Sequence, residues 1–477
     1  MSSATFPCPW CGAPITGAAP GATFTCPYCQ SKVTAPHHGM GAMRGGPVSA
    51  HGAPPMGVPA QPTRPPAILD ASAGSVVPVL HPQRGWLFVG PHAPDGQPPR
   101  LRAIDAEQNQ VLWETLQGQS WVSNVTAGSM LASANNLYVA SNRGLVCLDI
   151  SSGARKWGMQ LADNVATQDG PLGVAAAVYD PFPPQGRGAI LVMTIDHTLY
   201  ALDRDSGQVL WSAQKECELT SLDGHGAVIA SFGFPYVKAD IINPAYAQPV
   251  ATVRGSDWSA DIGKVHVAGP MMLLATDDFP GDGDQGAAVV DAMSGRIVFF
   301  EPVEDLCEDV VPAAMAQRVF FAADDGRKLY VGPGGMLVPS PAQNFGIVAM
   351  RAAGPTLVLL LRKLSGSSIR RVIGIDPATL QFRFDCGELG TEPDDDFPAQ
   401  LQTDGYSCVF VASPNDDSRD CELRSVDTST GRTLWTRKVG HWHAHTFIAG
   451  HVVVRAGDRL EVLAAPTGKV VATFPRP

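Results

Sequence analysis

Alternating apolar and polar positions recur along residues 74–477 in short runs that turn residues separate. In the clearest copy, TLYALDRDSGQVLW, an alternating run ends at Asp203, Gly207 follows four positions later, and Trp211 comes four positions after that. Alternation with period two is typical of β-strands, and Asp and Gly favour tight turns. Each copy therefore predicts a strand, a tight turn and a second strand.

The same phrase returns along the chain. Clear copies end at Trp113, Trp157, Trp211, Trp435 and Phe299, and weaker ones end at Phe384 and Ala472. A hairpin phrase repeated every ~40–50 residues is the signature of a blade-type array. Each unit also has an upstream pair of strands, which predicts an all-β fold, a single β-propeller of four-stranded blades. Degenerate units around Ile242 and Tyr330 bring the candidates to nine. We expect about eight blades, with seven or nine as alternatives.

The repeated residues have predicted structural roles. The Asp side chain is expected to hydrogen-bond the backbone of its own turn, and the Gly supplies the positive φ that the turn needs. The aromatic side chain, as at Trp157 and Trp435, is expected to wedge between neighbouring blades. The repeat therefore indicates a fold and assigns no catalytic residue.

The phrase xLxALDxxTGxxLW resembles the pyrroloquinoline-quinone (PQQ) repeat, and residues 74–477 look like a quinoprotein-type β-propeller. That resemblance implies the fold, and the family contains quinone-dependent dehydrogenases as well as scaffolds that bind no quinone. The dehydrogenase branch has an adjacent Cys–Cys pair and is exported. This sequence has no Cys–Cys dipeptide, so no catalytic or cofactor-binding residue is carried over to it.

Four cysteines near the N-terminus form two CxxC pairs, Cys8 with Cys11 and Cys26 with Cys29. Two CxxC turns at this separation are typical of a structural site that holds Zn²⁺ through four thiolates. Residues 6–34 resemble a zinc ribbon, in which a β-hairpin between the pairs brings the turns together and 23–25 is the strand that enters the second turn. Four thiolates leave no open coordination position, so we expect a structural zinc ion.

A tract rich in Gly, Pro and Ala follows the ribbon. Residues 35–73 have no alternating pattern, which is typical of a flexible linker. Its histidines, His37, His38 and His51, are interpreted as solvated side chains rather than metal ligands. The predicted organisation is thus a zinc ribbon at 6–34, a linker at 35–73 and a propeller at 74–477.

Composition limits the partners. The formal net charge is −11, and there is no Lys/Arg-rich stretch, so nucleic acid is a disfavoured partner. The carboxylate-rich segments, near Asp282, Asp394–Asp396 and Asp416, are interpreted as solvated loops that could meet a basic protein surface. Calcium binding in the first of them is the alternative.

Three further observations concern the compartment. The N-terminus has no secretory signal pattern, no stretch approaches the ~18 apolar residues of a membrane span, and six cysteines are scattered singly. We therefore expect a cytoplasmic protein that does not enter the membrane.

The segment HWHAH places His441, His443 and His445 at alternate positions, where three imidazoles on one strand face could bind a transition metal. The favoured interpretation is the polar face of an inner strand.

The functional expectation is a non-enzymatic protein-interaction scaffold. Propeller loops and the central funnel would form the docking surface, and the tethered ribbon would add a second contact. The tether raises the effective concentration of the second module once the first has bound. Two alternatives stay open: a quinone-dependent oxidoreductase, and a nucleic-acid-associated factor that acts through the zinc ribbon.

Overall fold

The computed structural model divides into two units, Met1–Ala67 and Ile68–Pro477. It describes residues 5–7, 14–16, 23–25 and 32–34 of the first unit. In the second it describes 76–474 except for 82, 93–99, 116–129, 134, 142–143, 162–177, 180–188, 194–197, 215–216, 223–226, 233–237, 243–248, 255–260, 269–270, 278–285, 292–293, 304, 308–309, 316–317, 366–368, 391–399, 414–420 and 449.

The first unit contains two short hairpins. Strand β1 (Thr5–Pro7) pairs antiparallel with β2 (Pro14–Thr16), and β3 (Thr23–Thr25) pairs antiparallel with β4 (Lys32–Thr34). The predicted strand at 23–25 is confirmed. The pairing differs from the expected hairpin between the two CxxC pairs, because each hairpin instead encloses one pair in its connecting segment.

The described residues of the second unit form nine four-stranded sheets, each an antiparallel meander in chain order. Sheet 1 has β5 (Val77–His81), β6 (Gly85–His92), β7 (Arg100–Asp105) and β8 (Gln110–Glu114); sheet 2 has β9 (Met130–Ser133), β10 (Asn136–Ser141), β11 (Gly144–Asp149) and β12 (Arg155–Gln160). Sheet 3 has β13 (Val178–Tyr179), β14 (Ala189–Met193), β15 (Thr198–Asp203) and β16 (Val209–Gln214).

Sheet 4 has β17 (Cys217–Leu222), β18 (Ala227–Phe232), β19 (Lys238–Ile242) and β20 (Pro249–Arg254); sheet 5 has β21 (Asp261–Ala268), β22 (Met271–Asp277), β23 (Gly286–Asp291) and β24 (Arg296–Pro302). Sheet 6 has β25 (Ala313–Met315), β26 (Arg318–Ala323), β27 (Lys328–Gly332) and β28 (Met336–Pro339). Sheet 7 has β29 (Phe345–Ala353), β30 (Thr356–Lys363), β31 (Arg370–Ile375) and β32 (Phe382–Glu388). Sheet 8 has β33 (Leu401–Thr403), β34 (Ser407–Ala412), β35 (Cys421–Asp427) and β36 (Thr433–Gly440), and sheet 9 has β37 (Trp442–Ile448), β38 (His451–Ala456), β39 (Arg459–Ala464) and β40 (Val470–Phe474).

The all-β class and the four-stranded units are confirmed, whereas a blade number of eight is not. Each of the nine candidate units of the sequence lies in its own sheet, and the two degenerate ones, around Ile242 and Tyr330, belong to sheets 4 and 6. A unit that has lost its turn phrase still supplies alternating apolar strands, and the alternation is enough to form a sheet.

The sheets form a closed ring. First strands of successive sheets contact one another, as β25 contacts β29 and β29 contacts β33, which places them on the inner side. Sheet 1 also contacts sheet 9, since the rings of Phe88 and Phe474 lie 5.6 Å apart and those of Trp86 and His451 lie 5.2 Å apart. A closed ring of antiparallel four-stranded sheets is a β-propeller.

The hydrophobic core lies between successive sheets. One cluster joins sheets 1 and 2 around Leu87 and Leu137, and another joins sheets 6 and 7 around Phe320 and Leu359. Similar clusters join sheets 2 and 3, 4 and 5, 5 and 6, 7 and 8, and 8 and 9. Burial of apolar area between neighbouring sheets therefore stabilises the array. Among the described residues no helix is long and apolar enough to cross a bilayer.

Candidate functional sites

The Asp of the repeat caps its own turn. The Asp203 carboxylate accepts hydrogen bonds from the Ser206 amide at 2.7 Å and the Asp205 amide at 3.1 Å, and the Ser206 hydroxyl donates to the same oxygen. The side-chain and backbone hydrogen bonds from Ser206 hold the pKa of Asp203 below its ordinary value. The same capping occurs at Asp105, Asp149, Asp291, Asp376 and Asp427. The predicted turn role is confirmed.

The aromatic residue of the repeat packs on the glycine of the next sheet. Trp157 of sheet 2 is buried, and its Nε1 donates to the Arg204 carbonyl of sheet 3 at 2.8 Å. Gly207 of that turn has φ +71°, and a Cβ there would lie 2.4 Å from the Trp157 ring. Trp113 and Trp435 bond in the same way to Ile150 and Ala465. The predicted wedge between neighbouring sheets is confirmed at these three tryptophans.

The four predicted zinc ligands, Cys8, Cys11, Cys26 and Cys29, lie outside the described residues. The strands that flank them are described. Cys8 and Cys11 fall in the segment that joins β1 to β2, and Cys26 and Cys29 fall in the segment that joins β3 to β4. Each CxxC pair thus belongs to the connection of one short hairpin.

The histidines of HWHAH do not share one face. β37 pairs Trp442 with Ala456 and Ala444 with Arg455, so His443 is the extra residue of a β-bulge. A bulge breaks the alternation of the strand, and the expectation of three imidazoles on one face is wrong for this reason. His441 and His443 are exposed, with Nδ1 of the first 3.2 Å from Nε2 of the second.

His445 points into the core instead. It accepts at Nδ1 from the Trp442 indole N–H at 3.1 Å, so its Nε2 carries the proton and donates to the Val409 carbonyl at 3.1 Å. Burial lowers the pKa of His445 to about 4, which keeps the ring neutral. His445 thus ties sheet 9 to sheet 8, and it is a structural residue.

Most residues of the carboxylate-rich segments are not among those that the structure describes. Asp282, Asp394–Asp396 and Asp416 lie outside the described residues. Their interpretation as solvated loops, and the calcium alternative for the first of them, stay predictions. In the described part of the chain no three His, Cys, Asp or Glu side chains are grouped closely enough to hold a metal ion.

In the part of the propeller that the structure describes, five cysteines form no disulfide: Cys147, Cys307, Cys386, Cys408 and Cys421. Burial raises the pKa of Cys147 and of Cys386 to about 12, so both thiols are protonated at neutral pH. A protonated thiol is a poor nucleophile, and these residues act as small apolar core side chains.

A further surface feature was not predicted from the sequence. Large apolar side chains are exposed on the fourth strands, which form the outer edge of the sheets, and we name this set the outer apolar band. Its members are Val111, Val209, Leu210, Ile297, Val298, Phe300, Met336, Leu337, Phe382, Leu434, Val470 and Val471. Leu210 is 50% exposed and Val298 is 49% exposed, although both lie in runs that read as ordinary core strands.

A bulge recurs on the outer strand of every sheet except sheet 6. In sheet 3, Ala201 pairs with Trp211 while Leu202 pairs with Val209, so Leu210 is an extra residue on the outer strand. Sheet 5 has the same irregularity at Val298. The outer strands of sheets 1, 2, 4, 7, 8 and 9 are bulged at the matching position. The extra residue turns the following aromatic inward and leaves its predecessors facing solvent.

Charge is unevenly distributed around the ring. Residues 77–302, which span sheets 1–5, contain 23 Asp and Glu against 13 Lys and Arg. Residues 313–474, which span sheets 6–9, contain 17 of each. The half of the ring that carries Leu210 and Val298 is therefore the acidic half.

Comparisons with known proteins bear on the fold. A PQQ-repeat family model, described as outer membrane protein assembly factor BamB, matches residues 98–248, which is less than half of the chain. No curated protein matches the sequence.

Solved structures with a similar fold include a eukaryotic initiation factor, with 10% identity over 79% of this chain and 96% of that chain and a TM-score of 0.53. BamB from Moraxella catarrhalis has 13% identity over 82% and 96%, with a TM-score of 0.41. Quinohemoprotein alcohol dehydrogenase from Comamonas testosteroni has 12% identity over 73% and 75%, with a TM-score of 0.38. At such identities similarity concerns the fold alone: this chain is all-β with a β-propeller fold, and its residues 98–248 are similar to the PQQ-repeat family model.

Proposed function

We propose that the protein is a non-enzymatic interaction scaffold that docks a protein partner on its propeller and holds the N-terminal ribbon as a second contact module. The observation that carries the proposal is the outer apolar band. Scattered exposed apolar residues are normal on a protein surface, but here twelve of them lie on the fourth, outer strands of the sheets. Recurrence at one edge concentrates apolar area where a partner can bury it.

The energy available at this edge is appreciable. Full burial of a Val, Leu or Phe side chain stabilises by ~1.5–3 kcal/mol, so a half-exposed one retains roughly half of that for a partner. Leu210, Val298 and Phe300 together would thus contribute about 3 kcal/mol to docking. That contribution is sufficient for a hot spot within a larger interface.

The bulges favour docking through side chains over strand addition. An unpaired edge strand can accept another strand when it is flat and regular, and bulges are a common means of preventing this. The bulges at Leu210 and Val298 interrupt the hydrogen-bonding edge of β16 and β24. We therefore infer a partner that covers the apolar side chains with a helix or loop surface.

The charge of sheets 1–5 supports a basic partner. An excess of ten acidic residues over basic ones attracts a positively charged surface and raises its rate of association at low salt. The same excess opposes binding of a nucleic acid backbone. The family model that matches residues 98–248 is described as an assembly factor, which is in keeping with a scaffold role.

A structural zinc ion in the ribbon is part of the proposal. The hairpin arrangement of β1–β4 supports it, because two hairpins that each present a CxxC pair can supply four thiolates to one ion. Zinc analysis of the double variant Cys8→Ser/Cys26→Ser is the test. One zinc per wild-type chain and a loss in the variant are expected, whereas equal stoichiometry would overturn the site.

The proposed compartment is the cytoplasm. Five described cysteines form no disulfide, and burial keeps two of them protonated, which is in keeping with a reducing environment. Alkylation of the denatured protein from its native source, without prior reduction, measures this: free thiols are expected, and disulfides would contradict the proposal.

Affinity purification of the full chain tests the scaffold role. A partner captured by wild type should be reduced about tenfold for Leu210→Gln/Val298→Gln, because both substitutions remove apolar contact from the acidic half. The matched control, Leu434→Gln/Val471→Gln, changes the same bulge position in the neutral half and should retain the partner. Equal capture by all three proteins would overturn docking at the outer band. Turnover of an alcohol with added quinone and Ca²⁺ would overturn the non-enzymatic assignment.

A further inference from the structure

We propose that His441 and His443 form a binding site for a divalent transition-metal ion of the Cu²⁺, Ni²⁺ and Zn²⁺ group, at the start of the inner strand of sheet 9. This site is separate from the four cysteines of the ribbon and does not depend on the scaffold proposal. It rests on the spacing of two imidazole nitrogens and on the backbone that holds them.

The spacing matches that of two ligands on one ion. Nδ1 of His441 lies 3.2 Å from Nε2 of His443. Two nitrogens at ~2.0–2.1 Å from a metal ion, with a tetrahedral angle between them, are separated by about 3.3 Å. The two rings stand nearly perpendicular, with centroids 4.6 Å apart, so rotation of the rings can turn both nitrogens toward one ion without a clash between the rings. A metal ion can therefore replace the proton that the pair shares, with small ring movements.

The backbone holds this arrangement in place. His443 is the bulged residue of β37, and the bulge brings its side chain beside that of His441 on the exposed side. The first strands of sheets 5 and 7 have equivalent bulges, at Gly263 in β21 and at Val348 in β29. The bulge is therefore a recurring feature of the fold, and in sheet 9 the bulged residue and the residue two positions before it are histidines.

Buried contacts on both sides support the pair. The Gly457 amide donates to the His441 carbonyl at 2.6 Å, and Trp442, between the two histidines, is buried and bonded to His445. Because the surrounding backbone is anchored, little conformational entropy is lost when a metal ion binds.

The donor set indicates the class of ion. Neutral imidazole suits Cu, Ni and Zn, while Ca²⁺ and Mg²⁺ prefer oxygen ligands. No third described His, Cys, Asp or Glu converges with the pair, so solvent would complete the coordination sphere. An ion held by two protein ligands keeps open positions for a donor from another molecule.

The test uses the full-length chain with its zinc content measured beforehand. Cu²⁺ is titrated in, and electron paramagnetic resonance follows the splitting from coordinated nitrogen. Wild type is expected to show one site with two coordinated imidazole nitrogens. His441→Gln and His443→Gln should each weaken binding about tenfold or more, because the second imidazole no longer adds its effective concentration.

The matched control is His37→Gln/His38→Gln, which removes the other closely spaced histidines of the chain. It should bind Cu²⁺ as wild type does. Near-ultraviolet circular dichroism of each variant confirms that the fold is kept, and exposed positions such as 441 and 443 should tolerate Gln. A site that survives in His441→Gln/His443→Gln, or that disappears in the control, would overturn the assignment.

Discussion

Adjacent sheets are joined by different contacts in two parts of the propeller, the junction between sheets 2 and 3 and the two junctions of sheet 6. At the first, Trp157 wedges against Gly207 and bonds the Arg204 carbonyl. Around sheet 6 no tryptophan is present in the described strands, and polar groups make the connections. Both kinds of junction also bury an apolar cluster.

The polar connections reach across both sides of sheet 6. The Glu301 carboxylate of sheet 5 accepts from the Gly334 and Gly335 amides at 2.8 and 3.0 Å. Arg318 of sheet 6 donates to the Pro377 and Ala378 carbonyls beside sheet 7, at 3.1 and 2.8 Å. Arg318 thus donates to turn carbonyls, as an indole N–H does elsewhere, whereas Glu301 accepts from amide N–H groups.

The comparison explains where the turn glycine is needed. Gly153, Gly207 and Gly468 face a tryptophan of the preceding sheet, and a Cβ on any of them would lie within 2.6 Å of the indole. Leu380 and Asn109 occupy the same turn position with φ of +61° and +52°. The preceding sheet has no tryptophan at the wedge position in either case, since it is sheet 6 for Leu380 and sheet 9, with Ala472 at that position, for Asn109. A residue with a side chain therefore occupies this turn position, as Leu380 and Asn109 do, where no tryptophan of the preceding sheet packs on it.

Removal of the wedge should have the largest effect. Trp157→Ala is expected to lower the free energy of unfolding by about 3–5 kcal/mol, because it opens a cavity and leaves the Arg204 carbonyl without its donor. Trp157→Phe keeps most of the packing and should cost about half as much. Urea denaturation measures both. A Phe variant as unstable as the Ala variant would show that the hydrogen bond, and not the wedge, dominates.

Filling the glycine position should come next. Gly207→Ala is expected to destabilise by about 2–4 kcal/mol, because it combines a positive φ with a Cβ 2.4 Å from the indole. The control Gly85→Ala has φ +76° and open space around the new Cβ, so it should cost only about 1 kcal/mol. The Gly207→Ala/Trp157→Ala double variant should cost less than the sum of the single ones. If the destabilisation of the double variant, measured by thermal or urea unfolding, equals the sum of the two single ones, the proposed dependence of the glycine on the tryptophan is wrong.

The polar junction should be less sensitive. Glu301→Gln is expected to cost about 1 kcal/mol, because the amide keeps one acceptor oxygen and turns an NH₂ group toward the second N–H. Glu388→Gln, an exposed change on β32, should stay within about 0.5 kcal/mol of wild type. A loss at Glu301 equal to that at Trp157 would mean that the polar junction carries as much stability as the wedge.

The capped turns should give the smallest effect, visible in acid. The pKa of Asp203 is lower in the folded chain than in the unfolded one, mainly through the Ser206 hydrogen bonds. Its contribution is therefore complete above about pH 4 and is lost as pH falls through the folded pKa. Asp203→Asn should flatten the fall in stability below pH 4 relative to wild type. Identical acid unfolding curves for wild type and Asp203→Asn would contradict the role of the cap.

Much of the propeller could be predicted from local pattern. The turn chemistry of Asp203 and Gly207, the inward position of Trp157, and the strands around Ile242 and Tyr330 follow from alternation and from residues with strong turn preferences. These are short-range effects, so one copy of the repeat is enough to predict them. The number of sheets was harder to predict. The weak units lack the Asp–Gly turn phrase by which units were counted, but a unit does not need that phrase to form a sheet.

The candidate sites depended on structure to a greater degree. The outer apolar band needs the bulges at Leu210 and Val298, and the His441–His443 pair needs the bulge that sends His445 into the core. A bulge arises where one strand has an extra residue relative to its partner, and that mismatch belongs to the pair of strands.

The sequence by itself determined the repeating hairpin, its turns and its packing residues, because each of these depends on neighbours within about ten positions. The tertiary structure decided which apolar side chains stay exposed and which imidazoles meet. Those outcomes depend on the register between strands, and one extra residue reverses the face that every later side chain occupies.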